Sequence, residues 1–220
     1  MTGGIPALMR GVVLTGFGGY DRLVWRDDLP VPVAGQGEVL VRVGAAGVNN
    51  TDINTRIGWY SKAVAADTAA GADAGFDGAQ DDGWSGAAFA FPRIQGADAA
   101  GRIVAVGPGV DSRRIGERVL VEPVFADGAG PVRYFGSECD GAFADYAQVP
   151  SAQAHAIDCT LTDAELASFP CAYSAALNML DRAGQMAGER VLVTGASGGV
   201  GSAAVQLARA RRGSLGARGP

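Results

Sequence analysis

The chain has 220 residues, enough for one large domain or two small ones, and its hydrophobic fraction of 48% can fill a core. A net charge of −5 argues against nucleic acid as a partner, because phosphate neutralisation needs clustered Lys and Arg. No apolar run reaches the roughly 18 residues of a membrane span, and the first residues lack the features of a signal peptide. Three widely spaced cysteines indicate neither a disulfide framework nor a metal knuckle, which favours a reducing cytoplasm.

The first half of the chain alternates short apolar runs with turn residues. Residues 1–8 are predicted to form a loose leader. Runs rich in Val, Ile and Leu then follow at close intervals, and each is bounded by Gly or Pro. This pattern predicts a small β-barrel-like domain. The predicted strands lie at 10–15, 23–25 and 38–45, and within 101–110, 116–125 and 141–150.

Residues 61–90 show no hydrophobic period and are rich in Ala, Gly and Asp. We predict a flexible insertion here, because a segment without a period offers no face to bury. Two interpretations stay open: a disordered surface loop, or a lid over the mouth of an active site.

After residue 157 the sequence pattern changes from short strand-like runs to helical stretches, and we place a domain boundary there. The stretch TDAE, from Thr162 to Glu165, has the spacing of a capping box and predicts a helix from Asp163. Pro170 should interrupt that helix. A second helix is predicted over 172–184.

The stretch VLVTGASGGVG, residues 191–201, joins an apolar run to a cluster of glycines. Val191–Thr194 is predicted to form a buried parallel strand, and the Ala-rich residues after Gly201 a helix. Strand, glycine turn and helix form the opening of a dinucleotide-binding unit, in which backbone N–H groups contact a pyrophosphate. The spacing is not the strict G-x-G-x-x-G, and no Lys-Ser/Thr follows as in a Walker A loop. A turn without a ligand is the alternative.

Several ordered stretches resemble the medium-chain dehydrogenase/reductase superfamily, the group of zinc alcohol dehydrogenases and quinone oxidoreductases. They span roughly residues 10–210 and read GEVLVRVGAAGVNNTD, FPRIQGADAAGRIVAVGPGV, IGERVLV, GAFADYAQVP, FPCAYSAALNML and GERVLVTGASGGVGSAAVQLA. The resemblance implies an α/β protein, with a GroES-like β-barrel catalytic domain over 9–157 and the beginning of a Rossmann domain over 158–210. It also implies hydride transfer to or from NAD(P)H, and a homo-oligomer such as a dimer or tetramer.

The zinc ligands of the family are largely missing from this chain. Zinc members carry a Cys where this chain has Asn49, and Gly-His-Glu where it has Gly96-Ala97-Asp98. Cys171 matches a third ligand, and Asp98 is a weak oxygen donor. Because an open zinc site needs about three protein ligands, we predict no zinc. Without zinc ligands, the chain resembles the zinc-independent quinone oxidoreductases of the family. This resemblance implies NADPH as cofactor, with NADH as the alternative, and a small-molecule substrate.

The resemblance implies catalytic candidates at Asn49, Thr51, Asp52 and Tyr60. Thr51 matches a hydroxyl that relays protons in zinc members, and Asn49 can donate an N–H to a developing enolate oxygen. A capped turn into a short helix is the alternative for the Asn49–Asp52 stretch. An aromatic that anchors the adjoining loop is the alternative for Tyr60. The cofactor-binding candidates are Ser174, Asn178, Gly195, Ser197, Gly198, Gly199, Val200 and Gly201.

The family pattern stops at the end of the chain. Residues 211–220 contain no apolar strand, and a two-domain member should have about 300 residues, from domains of ~150 each. We therefore expect a truncated or frameshifted product with an aberrant tail. Two functions remain: a zinc-independent NAD(P)H-dependent oxidoreductase, or a non-catalytic remnant that acts as a GroES-like interaction module.

Overall fold

The computed structural model describes residues 4–79, 89–125 and 132–211. These residues form two compact units, which divide between Ser168 and Phe169. The first unit is mostly β-structure and the second is helical, so the predicted α/β class is confirmed.

The described residues of the first unit form ten strands, and every pairing given between these strands is antiparallel. They form a sheet of order β2-β1-β4, a larger sheet of order β10-β6-β5-β3-β9, and the pair β7-β8. The predicted series of short strands is thereby confirmed. The strands are β1 (Leu8–Leu14), β2 (Leu23–Pro30), β3 (Glu38–Gly47), β4 (Arg93–Ile94), β5 (Asp98–Val106), β6 (Arg118–Val121), β7 (Val124–Phe125), β8 (Arg133–Tyr134), β9 (Tyr146–Pro150) and β10 (Ala154–Ala156).

Strand β3 leads directly into the turn and the helix that contain the candidate site. Its residues alternate between two hydrophobic clusters, because successive side chains of a strand point to opposite faces. Val39 and Val41 are buried in one cluster, and Leu40 in the other. Two register shifts in its pairing with β5 bend the sheet around the core. Helix α1 (Asn50–Arg56) begins soon after this rigid strand.

The predicted leader and the predicted insertion differ in the part that the structure describes, because only the end of the leader is tied to a sheet by the contacts given next. Leu8 begins β1, and the Ala7 carbonyl accepts a hydrogen bond from the Val31 N–H. The predicted 61–90 insertion is irregular as far as residue 79, with one 3₁₀ turn at Thr68–Gly71. The remainder of that prediction mostly falls on residues 80–88, outside the described ranges.

Helix α2 (Asp163–Leu166) belongs to the first unit. The Thr162 hydroxyl accepts from the Glu165 N–H, and the Glu165 carboxylate accepts from the Thr162 N–H, which confirms the predicted capping box. Leu166 and Ala167 pack on Ala100 of β5. Because of this packing, the units divide after Ser168, later in the chain than the predicted boundary after 157.

The second unit pairs helix α3 (Pro170–Arg182) with helix α4 (Gly199–Arg211). Pro170 occupies the first turn of α3, where its missing N–H costs nothing. The core between the helices consists of Ala176, Ala203 and Ala204. Arg211, assigned to the tail from the sequence, ends α4 and pairs with Asp181. Residues 212–220 lie outside the described ranges.

The predicted strand at Val191–Thr194 is wrong: these residues have no regular secondary structure. A strand is stable only when a neighbour satisfies its N–H and C=O groups. No segment in the described part of the second unit pairs with them, and the Leu192 residue is 90% exposed.

Candidate active site on helix α1

The sequence between β3 and α1 forms a tight, capped turn. Asn49 is the N-cap of α1, with extended backbone angles, and Asp52 occupies the third helical position. The Asp52 Oδ2 accepts a hydrogen bond from the Asn49 N–H at 2.8 Å. Asn and Asp favour these positions because they satisfy N–H groups that the helix leaves unpaired. The capped-turn interpretation is therefore confirmed, and it fixes where the Asn49 side chain begins.

Asp52 connects α1 to the segment before β5. Its Oδ1 accepts from the Gly96 N–H at 3.0 Å, and its backbone carbonyl accepts from the Gln95 Nε2 at 2.9 Å. Only 5% of Asp52 is exposed. Burial raises the pKa of Asp52 to about 6; the N–H donors of Asn49 and Gly96 lower it, and the nearby Asp98 charge adds a smaller increase. Both carboxylate oxygens are thus engaged by backbone donors below the surface.

The Asn49 side chain is held by a carboxylate from another strand. Its Nδ2 donates to the Oδ2 of Asp98 at 3.1 Å, and Asp98 is only 2% exposed. The sequence indicates Asp98 only as a weak metal ligand and not as a site residue. Its match to a family ligand position was the one signal that placed it near Asn49. A direct hydrogen bond therefore joins Asn49 and Asp98, two positions that match zinc ligands in the family's zinc members.

Thr51 and Tyr60 also meet. The Tyr60 hydroxyl donates to the Thr51 Oγ1 at 3.3 Å, and both residues are half-buried. The Trp59 ring lies edge-on to the Tyr60 ring, with centroids 5.5 Å apart, and its Nε1 donates to the Ala66 carbonyl. Tyr60 is thus placed against α1 as well as against the adjoining loop. The catalytic roles of Asn49, Thr51, Asp52 and Tyr60 remain predictions.

The glycine loop of the second unit is a tight turn that leads into α4. Gly195 has a φ of +64°, and the Gly198 N–H donates to the Gly195 carbonyl at 3.2 Å. A Cβ on Gly201 would clash with the Gly195 carbonyl, so only glycine fits this close approach. Ser197 and Gly198, just before α4, and Gly199, its first residue, are exposed, whereas Val200 and Gly201 are half-buried.

The two candidates on α3 are exposed and lie one turn apart. Ser174 donates its hydroxyl to the Cys171 carbonyl at 3.3 Å, and Asn178 follows four residues later. Residues four apart share one helix face, so both side chains are available on the same side of α3. Their role in cofactor binding remains a prediction.

The described residues offer little to a metal ion. Among them, no group of three or more His, Cys, Asp or Glu side chains comes close enough to hold one. Asn49 turns an N–H donor toward Asp98, and Ala97 has no donor atom. Cys139, in the barrel, is a poor thiolate because burial raises its pKa to about 11. The donor set therefore does not fit the zinc site of the family's zinc members.

Comparison with known proteins identifies the family. The alcohol dehydrogenase GroES-like domain matches residues 35–159. The chain belongs to the medium-chain dehydrogenase/reductase superfamily, which includes oxidoreductases of the alcohol dehydrogenase and quinone oxidoreductase type.

Three relatives show the extent of the match. The synaptic vesicle membrane protein VAT-1 homolog of Rattus norvegicus is 33% identical over 203 residues, covering 91% of this chain and 40% of its own. The quinone oxidoreductase of Lama guanicoe is 32% identical, covering 92% of this chain and 50% of its own. The structure of a candidate alcohol dehydrogenase from Sinorhizobium meliloti 1021 is 46% identical, with a TM-score of 0.79, covering 94% of this chain and 56% of that one. The chain spans about half the length of these relatives.

Membrane insertion receives no support from the helices. Within the residues that the structure describes, none of them combines the length and the apolar character that a bilayer crossing requires.

Proposed function

We propose that this chain carries the substrate-side groups and the pyrophosphate loop of an NAD(P)H-dependent oxidoreductase that reduces a small carbonyl, enone or quinone without zinc. One observation carries the proposal: two side chains with hydrogen-bond donors lie at the start of α1, and each is held by a neighbouring side chain. The Asn49 amide is held by Asp98, and the Thr51 hydroxyl is paired with Tyr60.

The donors suit a substrate oxygen that gains negative charge. Bound nicotinamide supplies a hydride to the carbonyl or conjugated carbon. An amide nitrogen has two N–H groups, and Asp98 engages one of them, so Asn49 retains one for the substrate oxygen. Because the donor is fixed before the reaction, it stabilises the charge without reorganising.

Thr51 and Tyr60 form a proton path in this proposal. The Thr51 oxygen accepts from Tyr60, so its own proton is free to point elsewhere. Thr51 donates that proton to the substrate oxygen, receives the Tyr60 proton in exchange, and Tyr60 is reprotonated by water. Asp52 acts as a positioning residue, because its oxygens hold the backbone of Asn49 and Gly96.

The glycine loop fits the pyrophosphate of a dinucleotide. A Cβ is excluded at Gly201 by the loop's own backbone, and the exposed N-terminus of α4 offers N–H groups and a partial positive charge. We propose NADPH as the cofactor, with NADH as the alternative, on the resemblance alone. Zinc is left out of the proposal because Asn49 and Ala97 stand where the resemblance places Cys and His ligands, and neither supplies a thiolate or an imidazole.

The cellular setting proposed is the cytoplasm. The three cysteines of the sequence, Cys139, Cys159 and Cys171, are widely spaced and odd in number, a pattern that suits a reducing compartment.

The test measures NADPH oxidation by a quinone and by an enone, with the purified chain. Asn49→Ala should lower kcat about a hundredfold, the typical effect of losing one donor to a developing oxyanion. Asn50→Ala is the matched control, because Asn50 is the exposed neighbouring residue on α1. A chelator should leave the rate unchanged. Equal rates for the two variants, or loss of activity with the chelator, would contradict the proposal.

A further inference from the structure

Arg56, the last residue of α1, is a buried cation. Only 3% of the residue is exposed. Its Nη1 donates to the Gly18 carbonyl at 2.6 Å, its Nη2 donates to the Ala72 carbonyl at 3.0 Å, and the guanidinium lies 4.3 Å from the centre of the Tyr20 ring. Within the described ranges it forms no salt bridge. Burying a charge is costly unless its donors are satisfied, so these contacts must offset that cost.

The acceptors of Arg56 lie on two separate segments. Gly18 belongs to the turn between β1 and β2, and Ala72 belongs to the irregular segment after α1. Backbone hydrogen bonds return from both sides: the Gly18 N–H donates to the Arg56 carbonyl at 2.9 Å, and the Phe76 N–H to the Ile57 carbonyl at 3.0 Å. Arg56 therefore connects α1, the β1–β2 turn and the segment 57–79 at one point.

The segment 57–79 contains Tyr60, which the proposed reaction uses. Tyr60 reaches Thr51 only if the chain after α1 folds back on the helix, and two backbone bonds begin that return: the Gly58 N–H to the Thr55 carbonyl, and the Trp59 N–H to the Asn54 carbonyl. A single turn of this kind opens easily unless the chain beyond it is held. Farther along, the Ala72 carbonyl provides that hold.

We propose that Arg56 is a positioning residue for the candidate site. It fastens the segment 57–79 to α1 and to the β1–β2 turn, and so keeps the Tyr60 hydroxyl against Thr51. The importance of this for catalysis rests on the proposed function, but the fastening itself does not. A planar guanidinium suits the task because it donates in two directions while it stacks on a ring. A lysine ammonium carries the charge without that geometry.

The experiment follows Trp59 as a local reporter. Trp25→Phe and Trp84→Phe leave Trp59 as the only tryptophan of the chain. In that background, Arg56→Met and Arg56→Lys are compared with the matched control Arg26→Met, which removes an exposed ion pair with Asp28 on β2. We expect both Arg56 variants to shift the Trp59 emission to longer wavelength and to raise its acrylamide quenching about twofold. The Arg26 variant should leave both unchanged.

Hydrogen exchange separates fastening from general stability. In Arg56→Met, amides of 57–79 should exchange about tenfold faster, whereas those of β3 and β5 keep their protection. An even loss of protection across β3 and β5 would overturn the proposal, as would an unchanged Trp59 emission. Lysine behaving like the wild type would also overturn it, because charge alone would then suffice.

A double-mutant cycle links the fastening to turnover. If Arg56 acts through Tyr60, the effects of Arg56→Met and Tyr60→Phe on kcat should be non-additive, since each removes the same contact. If the segment 57–79 opens in Arg56→Met but the two effects on kcat are additive, the proposed positioning role of Arg56 still holds. The role of Tyr60 in the proposed function is then contradicted. Non-additive effects with unchanged Trp59 emission would overturn the fastening.

Discussion

Asp52 is a buried carboxylate that holds the backbone of the candidate site and makes the stability of the protein depend on pH. Its folded pKa of about 6 lies above its ordinary value of 3.8, chiefly because of burial. The native state therefore holds the proton more tightly than the unfolded chain. Stability from this group is complete below pH 3.8 and is lost as the pH rises toward 6. A shift of about two units corresponds to about 3 kcal/mol.

Asp52→Asn removes that titration. We expect the stability of the wild type relative to the variant to fall between about pH 4 and 6.5 and to be constant above pH 7. The variant also loses an acceptor for a backbone N–H, but that cost does not depend on pH. Urea unfolding of both chains across this range measures the difference. A difference that stays constant from pH 4 to 7 would show that Asp52 titrates normally.

Individual site residues could be predicted only where the signal was local or carried by resemblance. Asn49 was found because its N-cap role and its ligand position lie within one short motif. The partner Asp98 is 49 residues away, and the Gly18 acceptor of Arg56 is 38 residues away. No sequence period connects such pairs, because the folding of the sheets, not the local chain, brings them together.

Gly58 and Gly78 offer a matched test of packing after α1. Both have a φ of +76°, but a Cβ on Gly58 would lie 2.5 Å from the Ala79 Cβ and 3.2 Å from the Phe17 Cγ, whereas nothing lies within 4 Å of a Cβ on Gly78. Alanine should cost about 1 kcal/mol at either position through backbone strain. At Gly58, overpacking should add a further 1–3 kcal/mol or so. Thermal unfolding compares the two variants, and equal losses would contradict the packing account.

The α2 capping box provides a second test at this scale. Thr162→Ala removes the acceptor for the Glu165 N–H. It should lower the free energy of unfolding by about 1 kcal/mol, as is typical of N-cap losses. Ser168→Ala is the control, since Ser168 follows the same helix and its hydroxyl donates only to a nearby carbonyl. If both variants unfold at the same urea concentration, the Thr162 hydroxyl does not stabilise α2 as its N-cap.

Elements were predictable where their stability is local. The capping box at Thr162 is complete within four residues, and α2 begins at Asp163 as predicted. Pro170 does not interrupt that helix, which already ends at Leu166; it begins α3, two residues before the start predicted for the second helix. The apolar run at Val191–Thr194 has the composition of a strand, but its hydrogen bonds would have to come from another segment. The strand predicted from composition is therefore wrong, because composition does not show whether a pairing segment is present.

The two units differ in how much apolar surface they bury. The first contains large buried side chains such as Phe135, Leu14 and Ile103, whereas the buried cluster between α3 and α4 in the second consists of three alanines, with larger side chains only partly buried against it. Because hydrophobic stabilisation scales with buried area, the second unit should open at a lower free energy. Amides of α3 and α4 should exchange faster than those of β3 and β5. Equal protection in both units would contradict this ordering.

Binding of a nicotinamide cofactor tests the central claim most directly. The purified chain is titrated with NADPH and with NADH while the cofactor fluorescence is followed, beside Gly201→Ala, in which a Cβ would clash with the loop backbone. We predict saturable binding of one of the two in the micromolar range, about −8 kcal/mol, and weaker binding by the variant. No saturation by either cofactor at millimolar concentration, or equal binding by the variant, would contradict the assignment of the glycine loop and of the chain as a nicotinamide-dependent oxidoreductase.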